Sequence, residues 1–195
     1  MEFRDVVRHR RMWRNFDGRP IPADAIERML EHAIHAPSAG FSQGWAFMLF
    51  SERDELTRFW DLTWPLQNRT GPYTGITSAA CVIVPMSNKQ IYLDRYAEPD
   101  KGWTDLDEDR WPVSYWDIDT AFASMLILLT AVDEGLGALF YGMGNVEEFQ
   151  SAYGVPPDYT PIGAIAVGYP RQDRPSPSLK RGRRPVDEVV HRGHW

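Results

Sequence analysis

The chain contains the segment Ala36-Pro37-Ser38-Ala39-Gly40-Phe41-Ser42-Gln43-Gly44-Trp45, which separates a helical pattern from an apolar strand pattern. Apolar residues recur at the helical period over Ala23–Ala36, and Pro37 is of the residue type that ends helices. The small residues that follow allow a planar ligand to approach the backbone closely. Gln43 adds an amide donor and acceptor that could form hydrogen bonds with the polar edge of a heteroaromatic ring. The segment therefore predicts a helix end that borders a flat ligand.

A second segment lies upstream and reads Arg10-Arg11-Met12-Trp13-Arg14-Asn15-Phe16. Its three arginines fall where a predicted helix, Phe3–Arg10, gives way to a turn. A guanidinium group is planar and can donate two parallel hydrogen bonds to two oxygens of one phosphate. The three arginines can therefore surround a phosphate, while Phe16 fills the core. An ordinary basic helix end would give the same pattern, and this motif alone leaves both interpretations open.

Positive charge is concentrated at the two ends of an acidic chain. Residues 1–19 and 171–195 hold 13 of the 21 Lys and Arg residues but only 6 of the 27 acids, so the ends carry +7 and the rest −13. Solvated basic tails are the commoner reason for such a charge run. Here the arginines stand beside apolar residues such as Trp13, Phe16 and Val186, which indicates ordered structure. We therefore expect the two ends to converge on one phosphate.

Composition excludes several classes of protein. The 195 residues fit one domain, and 43% hydrophobic residues with 13% aromatic residues argue against disorder. A net charge of −6 argues against nucleic acid as a partner. The single Cys81 and the five dispersed His residues predict no disulfide and no metal site. We expect no signal peptide, and Ala121–Val132 is too short to span a membrane, so the protein is expected to be soluble and cytoplasmic, without a membrane partner.

Helical and strand patterns alternate along the chain, as in an α/β or α+β layered domain. The predicted helices after the first are Ala23–Ala36, Arg53–Trp60, Asp117–Glu134 and Val146–Tyr153. The predicted strands are Trp45–Phe50, Ala79–Pro85, Ala138–Tyr141 and Gly163–Gly168. The helix over Asp117–Glu134 is apolar on most sides, which favours a place at the centre of the fold or in a dimer interface.

Residues 86–116 form a long polar and aromatic connection. Connections of this length inside a compact domain are usually functional lids or contain a helix that the pattern does not reveal. As a substrate lid, the segment would offer four rings for stacking: Tyr92, Tyr96, Trp103 and Trp111. Packing of the same rings in a dimer accounts for them equally well.

Five segments in this order and spacing resemble the nitroreductase family of flavoproteins. They are residues 10–16, residues 36–45, Gly135–Met143 with its G-L-G-A and Y-G-M pieces, the I-A-V-G-Y-P run at residues 165–170, and the closing stretch 181–190. The resemblance implies a single α+β domain over residues 1–195, with a mixed sheet flanked by helices in α/β/α layers. It also implies a domain-swapped homodimer with two FMN sites at the subunit interface, in which residues 171–195 extend onto the partner and complete its sheet.

The resemblance assigns the phosphate and ribityl chain of FMN to basic residues from both ends, namely Arg10, Arg11, Arg14, Arg181 and Arg183. Met12 belongs to the same set and stands where many members have Ser or Thr. Arg69 is the candidate cation near flavin N1 and O2.

The resemblance assigns the flavin ring to the two remaining segments. Pro37, Ser38 and Ala39 would pack on the ring from the other subunit, and Gln43 would approach the ring or ribityl edge. The backbone near Gly142 and Met143 would face flavin N5 and O4. Phe41 stands where many members have Asn and adds an aromatic wall for the substrate.

The activity implied by the resemblance is that of an FMN-dependent oxidoreductase of ping-pong type. NAD(P)H would deliver hydride to flavin N5, and an electron-poor aromatic acceptor such as a nitroaromatic or a quinone would take the reducing equivalents; no catalytic side chain is required. Two alternatives stay open. One is an oxygenase that consumes reduced FMN, of the dimethylbenzimidazole-synthase type, which the A-P-S-x-G-F form suggests. The other is a flavin-sequestering protein without turnover.

Overall fold

A computed structural model describes residues 1–69, 71 and 73–195. The helices in this part of the chain are α1 (Phe3–His9), α2 (Ala23–Ala33), α3 (Arg53–Thr63), α4 (Lys89–Ala97), α5 (Tyr115–Asp133), α6 (Val146–Tyr153) and α7 (Val186–Val189). The strands are β1 (Trp45–Phe50), β2 (Cys81–Asn88), β3 (Gly137–Tyr141), β4 (Tyr159–Pro161) and β5 (Ala164–Gly168). Short 3-10 turns lie between them, including Ala39–Phe41 and Thr74–Ser78.

The strands form one sheet in the order β1-β2-β5-β3, and β4 also pairs with β2. All pairings between these strands are antiparallel, with Met48 opposite Val84 and Val167 opposite both Cys81 and Ala138. A parallel bridge from Met12 to Ala138 extends the sheet beyond β3. The N-terminal segment therefore runs along the edge of the sheet.

Helices cover both faces of the sheet, so β2 is buried at all eight positions. Cys81 and Ile83 point to one core, which α2 and α5 close with residues such as Met29 and Ile127. Val82 and Val84 point to a second core, which also contains Phe59 of α3 and Phe149 of α6. Burial on both faces explains why this strand is a continuous apolar run instead of an alternating one. The α/β/α layering predicted from the sequence is confirmed.

Helix α5 lies across one face of the sheet and packs on α2. It is the one helix in the described part of the chain that is long and apolar enough to cross a membrane, and half of that window is buried inside the fold. The hydroxyls of Thr120, Ser124 and Thr130 each donate to the carbonyl four residues earlier, so the polar groups within the helix are satisfied. One face of the helix packs on the core, while apolar residues on its other side, such as Phe122 and Met125, lie at the surface of the chain, so the expected all-round burial is not seen within one chain.

Several elements differ from the boundaries expected from the sequence; α3, for example, runs to Thr63 instead of Trp60. Helix α2 ends at Ala33 because the Pro37 ring would clash with the Ala33 carbonyl, and His35 and Ala36 bond in tighter i to i−3 turns. Residues 86–116 are not one irregular loop: β2 continues to Asn88, and α4 begins at once. The Asn88 side chain caps that helix by accepting from the Ile91 N–H.

Residues 174–195 form an exposed extension, which we call the C-terminal extension. It contains a 3-10 turn at Pro177–Arg181 and α7, and the hydrogen bonds described within it run between its own residues. Leu179 and Val186 are 69% and 68% exposed, respectively. The exchange of this extension between two subunits stays a prediction.

Candidate active site

The basic segment is held against the edge strand β3. The Trp13 N–H donates to the Ala138 carbonyl at 3.0 Å, and the Phe140 N–H meets the Met12 sulfur at 3.4 Å. The Met12 thioether is therefore engaged with the sheet. Because β3 ends at Tyr141, one strand connects this segment to Gly142 and Met143.

On its other side, the basic segment pairs with the start of the C-terminal region. The Asp17 N–H donates to the Tyr169 carbonyl at 3.1 Å, and the Arg171 N–H donates to the Asn15 carbonyl at 3.0 Å. The Asn15 amide also donates to the Gln172 carbonyl at 2.7 Å. The two ends of the chain therefore meet, as their charge pattern predicts, through residue 173. Arg181 and Arg183 lie beyond this point, on the exposed extension.

The guanidinium groups of the basic segment make no ion pair with a carboxylate in the described part of the chain. Arg10 Nη1 is buried and has no hydrogen-bond partner among the described residues. The Arg11 guanidinium lies 3.7 Å from the centre of the Trp13 ring, and that of Arg14 lies 5.3 Å from the centre of the Tyr73 ring. Aromatic faces hold a guanidinium group while leaving its N–H edges open to an anion.

A buried donor without an acceptor costs about 1–3 kcal/mol, and more when it is charged. A phosphate at this position would supply acceptor oxygens to Arg10 and neutralise its neighbours. The residues present at the sheet edge therefore fit the phosphate group of FMN.

Residues 38–43 form a tight loop after α2, which we call the Ser38–Gln43 loop. Gly40, Phe41 and Gln43 all have positive φ, at 61°, 56° and 54°, respectively. For Phe41 and Gln43 this geometry costs on the order of 1–3 kcal/mol each, so other contacts must hold the loop. Phe41 is 74% exposed and projects from its surface. A Cβ on Gly40 would lie 2.6 Å from Tyr96 Cε2, so this position requires glycine.

Side chains from two helices hold the loop from below. Oδ2 of Asp119 in α5 accepts both the Ala39 N–H and the Tyr92 hydroxyl, each at 2.8 Å. Nε of Arg95 in α4 donates to the Gly40 carbonyl at 2.9 Å. Within the loop, the Gln43 N–H donates to Ser38 Oγ at 3.0 Å. These bonds leave Pro37, Gln43 and Phe41 at the surface.

The aromatic residues predicted as substrate walls form one packed cluster beside this loop. The Tyr96 ring centre lies 4.4 Å from that of Trp111 and 4.9 Å from that of Trp103. Tyr92 is fully buried and meets Trp111 edge to face. Its ring has no surface to offer to a substrate, and packing accounts for it. Burial raises the pKa of the Tyr92 hydroxyl, and the bond to Asp119 raises it further, so Tyr92 remains a donor.

Gly142 and Met143 follow β3 directly. A Cβ added to Gly142 would meet no atom of the described residues within 4 Å, so there is open space beside its backbone for a ligand. Met143 packs against the second core. The strand carries these residues and the basic segment at fixed spacing, because Met12 is bridged to Ala138.

Arg69 is engaged elsewhere. Its Nε donates to the Trp64 carbonyl at 2.7 Å, and its Nη2 pairs with Asp61 at 2.8 Å. Asp61 offsets the positive charge that the predicted role at flavin N1 and O2 requires. The structure therefore gives this assignment no support.

Asp119 and Arg95 were not among the residues predicted from the sequence. Asp119 had a visible signal, because no other charged residue occurs between Asp117 and Asp133 of an otherwise apolar helix. A lone buried carboxylate requires donors, which points to a structural or functional contact. Arg95 had no comparable signal, since its bond to the loop depends on the tertiary fold.

The chain is a three-layer α+β domain with the nitroreductase-like fold. Its basic segment lies at the β3 edge, with guanidinium groups that have no carboxylate partner among the described residues, and its Ser38–Gln43 loop precedes β1 at the other edge of the sheet. The chain belongs to the nitroreductase family, whose family model matches residues 7–169.

The chain is also similar to curated proteins and to solved structures. A Methanothermobacter thermautotrophicus protein with the provisional name NADH dehydrogenase/NAD(P)H nitroreductase is 25% identical over 177 residues, covering 89% of this chain and 80% of its own. The 5,6-dimethylbenzimidazole synthase of Rhodospirillum rubrum is 26% identical over 192 residues, covering 92% and 89%, respectively. Among solved structures, a provisionally named nitroreductase from Exiguobacterium sibiricum in complex with FMN has a TM-score of 0.74 at 20% identity, covering 98% of this chain and 97% of its own. The sequence-based recognition of the family is therefore confirmed, and so is the fold.

Proposed function

We propose that the protein is an FMN-dependent NAD(P)H oxidoreductase of ping-pong type that reduces an electron-poor aromatic acceptor, such as a nitroaromatic or a quinone. The observation that carries this proposal is the set of guanidinium groups at the edge of β3, which have no carboxylate partner among the described residues. Membership of the nitroreductase family and a structural neighbour solved with FMN support it.

The basic segment would hold the phosphate. Arg10 supplies a buried N–H that has no hydrogen-bond partner among the described residues, while Arg11 and Arg14 are oriented by the rings of Trp13 and Tyr73. Charge-assisted bonds of this kind are about twice as strong as neutral ones. Arg181 and Arg183 would complete the phosphate shell from the C-terminal extension.

The flavin ring would lie between the Ser38–Gln43 loop of one subunit and the end of β3 of the other. Bound FMN would supply the redox chemistry by accepting hydride from NAD(P)H and passing reducing equivalents to the acceptor. The chain supplies the surroundings: Pro37, Ser38 and Ala39 pack on the ring, and Gln43 contacts its edge. The backbone at Gly142 and Met143 offers N–H groups to it, and Phe41 forms an exposed aromatic wall.

A homodimer would complete the site. Phe122 and Met125 lie on the outer face of α5 and are 48% and 43% exposed, respectively, and Phe3 of α1 is also exposed. The C-terminal extension adds exposed Leu179 and Val186. Large apolar side chains exposed on a central helix and on an extension fit burial against a second copy of the chain. The cytoplasmic location stays a prediction.

The second candidate function is an oxygenase that consumes reduced FMN. It is favoured by the similarity to the Rhodospirillum rubrum 5,6-dimethylbenzimidazole synthase, together with the A-P-S-x-G-F form of residues 36–41. It differs in outcome, because oxygen would destroy the flavin where an oxidoreductase would return it unchanged.

Purified protein reconstituted with FMN tests both candidates. Anaerobic addition of NADH or NADPH should bleach the visible flavin absorbance, and a nitroaromatic or quinone should restore it without loss of flavin. Permanent loss of the absorbance on admission of oxygen alone would favour the oxygenase. A bound flavin that neither nucleotide bleaches would contradict the proposed activity and indicate a flavin-sequestering protein.

A further inference from the structure

Asp119 and Arg95 contact consecutive residues of the Ser38–Gln43 loop. Asp119 is 3% exposed, and its Oδ2 accepts the Ala39 N–H at 2.8 Å. Arg95 donates to the next residue through the Gly40 carbonyl at 2.9 Å. We propose that Asp119 and Arg95 are positioning residues that hold this loop ready for the flavin ring. The inference rests on the proposed function.

The position of Asp119 suits this role. An ionised carboxylate only accepts hydrogen bonds, and the same oxygen receives the Tyr92 hydroxyl at 2.8 Å. Tyr92 is fully buried in the aromatic cluster, and its ring lies against Gly44, the residue that follows the loop. Asp119 thus connects the rigid aromatic cluster to the backbone of Ala39.

Arg95 is oriented by a second set of contacts. Its two terminal nitrogens donate to the two oxygens of Asp100 at 2.7 and 2.8 Å, which fixes the plane of the guanidinium group. Its Nε therefore remains available to donate a hydrogen bond to the Gly40 carbonyl. The Tyr96 ring fills the space beneath Gly40.

These contacts hold the loop at the point where its backbone enters the left-handed φ/ψ region, at Gly40 and Phe41. A free loop would leave this geometry, because Phe41 and Gln43 rarely adopt it. A loop that already has this geometry loses less conformational entropy when the ligand binds. Asp119 and Arg95 therefore raise the affinity for flavin without contacting it.

The test compares variants of the full-length protein by titration with FMN, using quenching of FMN fluorescence. D119A removes the acceptor, whereas D119N keeps an oxygen that can accept both donors. R95A removes the bond to Gly40. R110A is the matched control, because Arg110 also pairs with an aspartate, Asp105, and has no described hydrogen bond to the loop.

We expect D119A and R95A each to weaken FMN binding about tenfold or more, with D119N within about threefold of wild type and R110A unchanged. Amide exchange of the flavin-free protein should show faster exchange at Ala39 in D119A than in D119N. Recovery of FMN affinity in D119N, whose amide oxygen replaces the carboxylate oxygen, is the result that general destabilisation would not give. The thermal unfolding temperature of each flavin-free variant shows how much stability that variant has lost.

Wild-type affinity in both folded D119A and folded R95A would overturn the inference. Equal losses in D119N and D119A would overturn the positioning role of the Asp119 oxygen. If D119A does not fold, the comparison of FMN affinity between R95A and R110A decides whether the inference holds. Failure of the wild-type protein to bind FMN would instead overturn the proposed function, which separates the two failures.

Discussion

The backbone N–H of Arg14 donates to a carboxylate oxygen of Asp173 at 3.0 Å, although the two residues lie 159 positions apart in the sequence. Beside it, Arg171 bonds to the Asn15 carbonyl. The N-terminal basic segment therefore meets residues 171–173, where the basic C-terminal region begins. The bond from the Trp13 N–H to the Ala138 carbonyl places the basic segment next to β3, where its guanidinium groups face no described carboxylate partner.

Replacement of either Arg14 or Arg183 by alanine should weaken FMN retention. Each change would remove a charge-assisted phosphate contact of about 1.5–3 kcal/mol, which corresponds to roughly 10- to 100-fold in affinity. The measurement is the flavin-to-protein ratio after extensive dialysis. The control is R53A, since Arg53 is an exposed arginine at the start of α3. Undiminished flavin in both R14A and R183A would contradict the phosphate assignment.

The substitution G40A should destabilise the protein more than G135A. Both glycines have positive φ, but a Cβ at Gly40 would lie 2.6 Å from Tyr96 whereas one at Gly135 meets open space. We expect about 1 kcal/mol for the left-handed conformation alone, and about 2 kcal/mol or more where overpacking is added. Chemical denaturation of flavin-free protein measures both. Equal losses would mean that the loop does not pack on Tyr96 as described.

Stability should depend on Glu134 at neutral pH but not in acid. Arg28 donates to both oxygens of Glu134 and holds the pKa of this carboxyl below its ordinary value of 4.5. A lowered pKa contributes stability that is present above 4.5 and is lost as the pH falls through the lowered value. E134Q should therefore cost about 0.5 kcal/mol near neutral pH, because the pair is partly exposed.

Denaturation curves of wild type and E134Q should converge in acid, below the lowered pKa of Glu134. E147Q serves as the control, because Glu147 is exposed on α6 and has no ion pair in the described part of the chain. A difference between wild type and E134Q that persists unchanged in acid would refute the electrostatic origin of the effect.

The double substitution F122D/M125D should disrupt the proposed homodimer. It places two carboxylates on the exposed apolar face of α5, where a second copy would have to desolvate them. Sedimentation should show the dissociation constant raised about 100-fold or more, with FMN lost in parallel because the site needs both subunits. V113D, at an exposed position before α5, should remain dimeric. A wild-type monomer that retains FMN would rule out a shared site.

Local sequence patterns predicted much of the fold. The strand Trp45–Phe50 and the helix Val146–Tyr153 have the predicted bounds, and α5 is within two residues of its prediction. These elements have clear apolar periods and end signals. Helix α4 was missed because the polar and aromatic residues of 89–97 show no strong helical period, and the three-residue strand β4 is too short for a pattern.

The candidate site was predictable only in part. Clustered arginines and the small residues after Pro37 indicated a phosphate and a flat ring. The bridge from Met12 to Ala138 joins distant parts of the chain, so no local pattern contains it. The local pattern also left open whether the Tyr92 ring faces a substrate or packs, and in the structure the ring is fully buried and its hydroxyl supports Asp119.

A comparison of FMN with riboflavin tests the central claim most directly, because the two ligands differ only in the phosphate. Titration of wild type and R14A with each ligand gives four dissociation constants. The account predicts that wild type binds FMN about tenfold or more tightly than riboflavin, and that R14A removes most of this difference while binding riboflavin as wild type does. Equal affinity of wild type for the two ligands, or an undiminished preference for FMN in R14A, would contradict it.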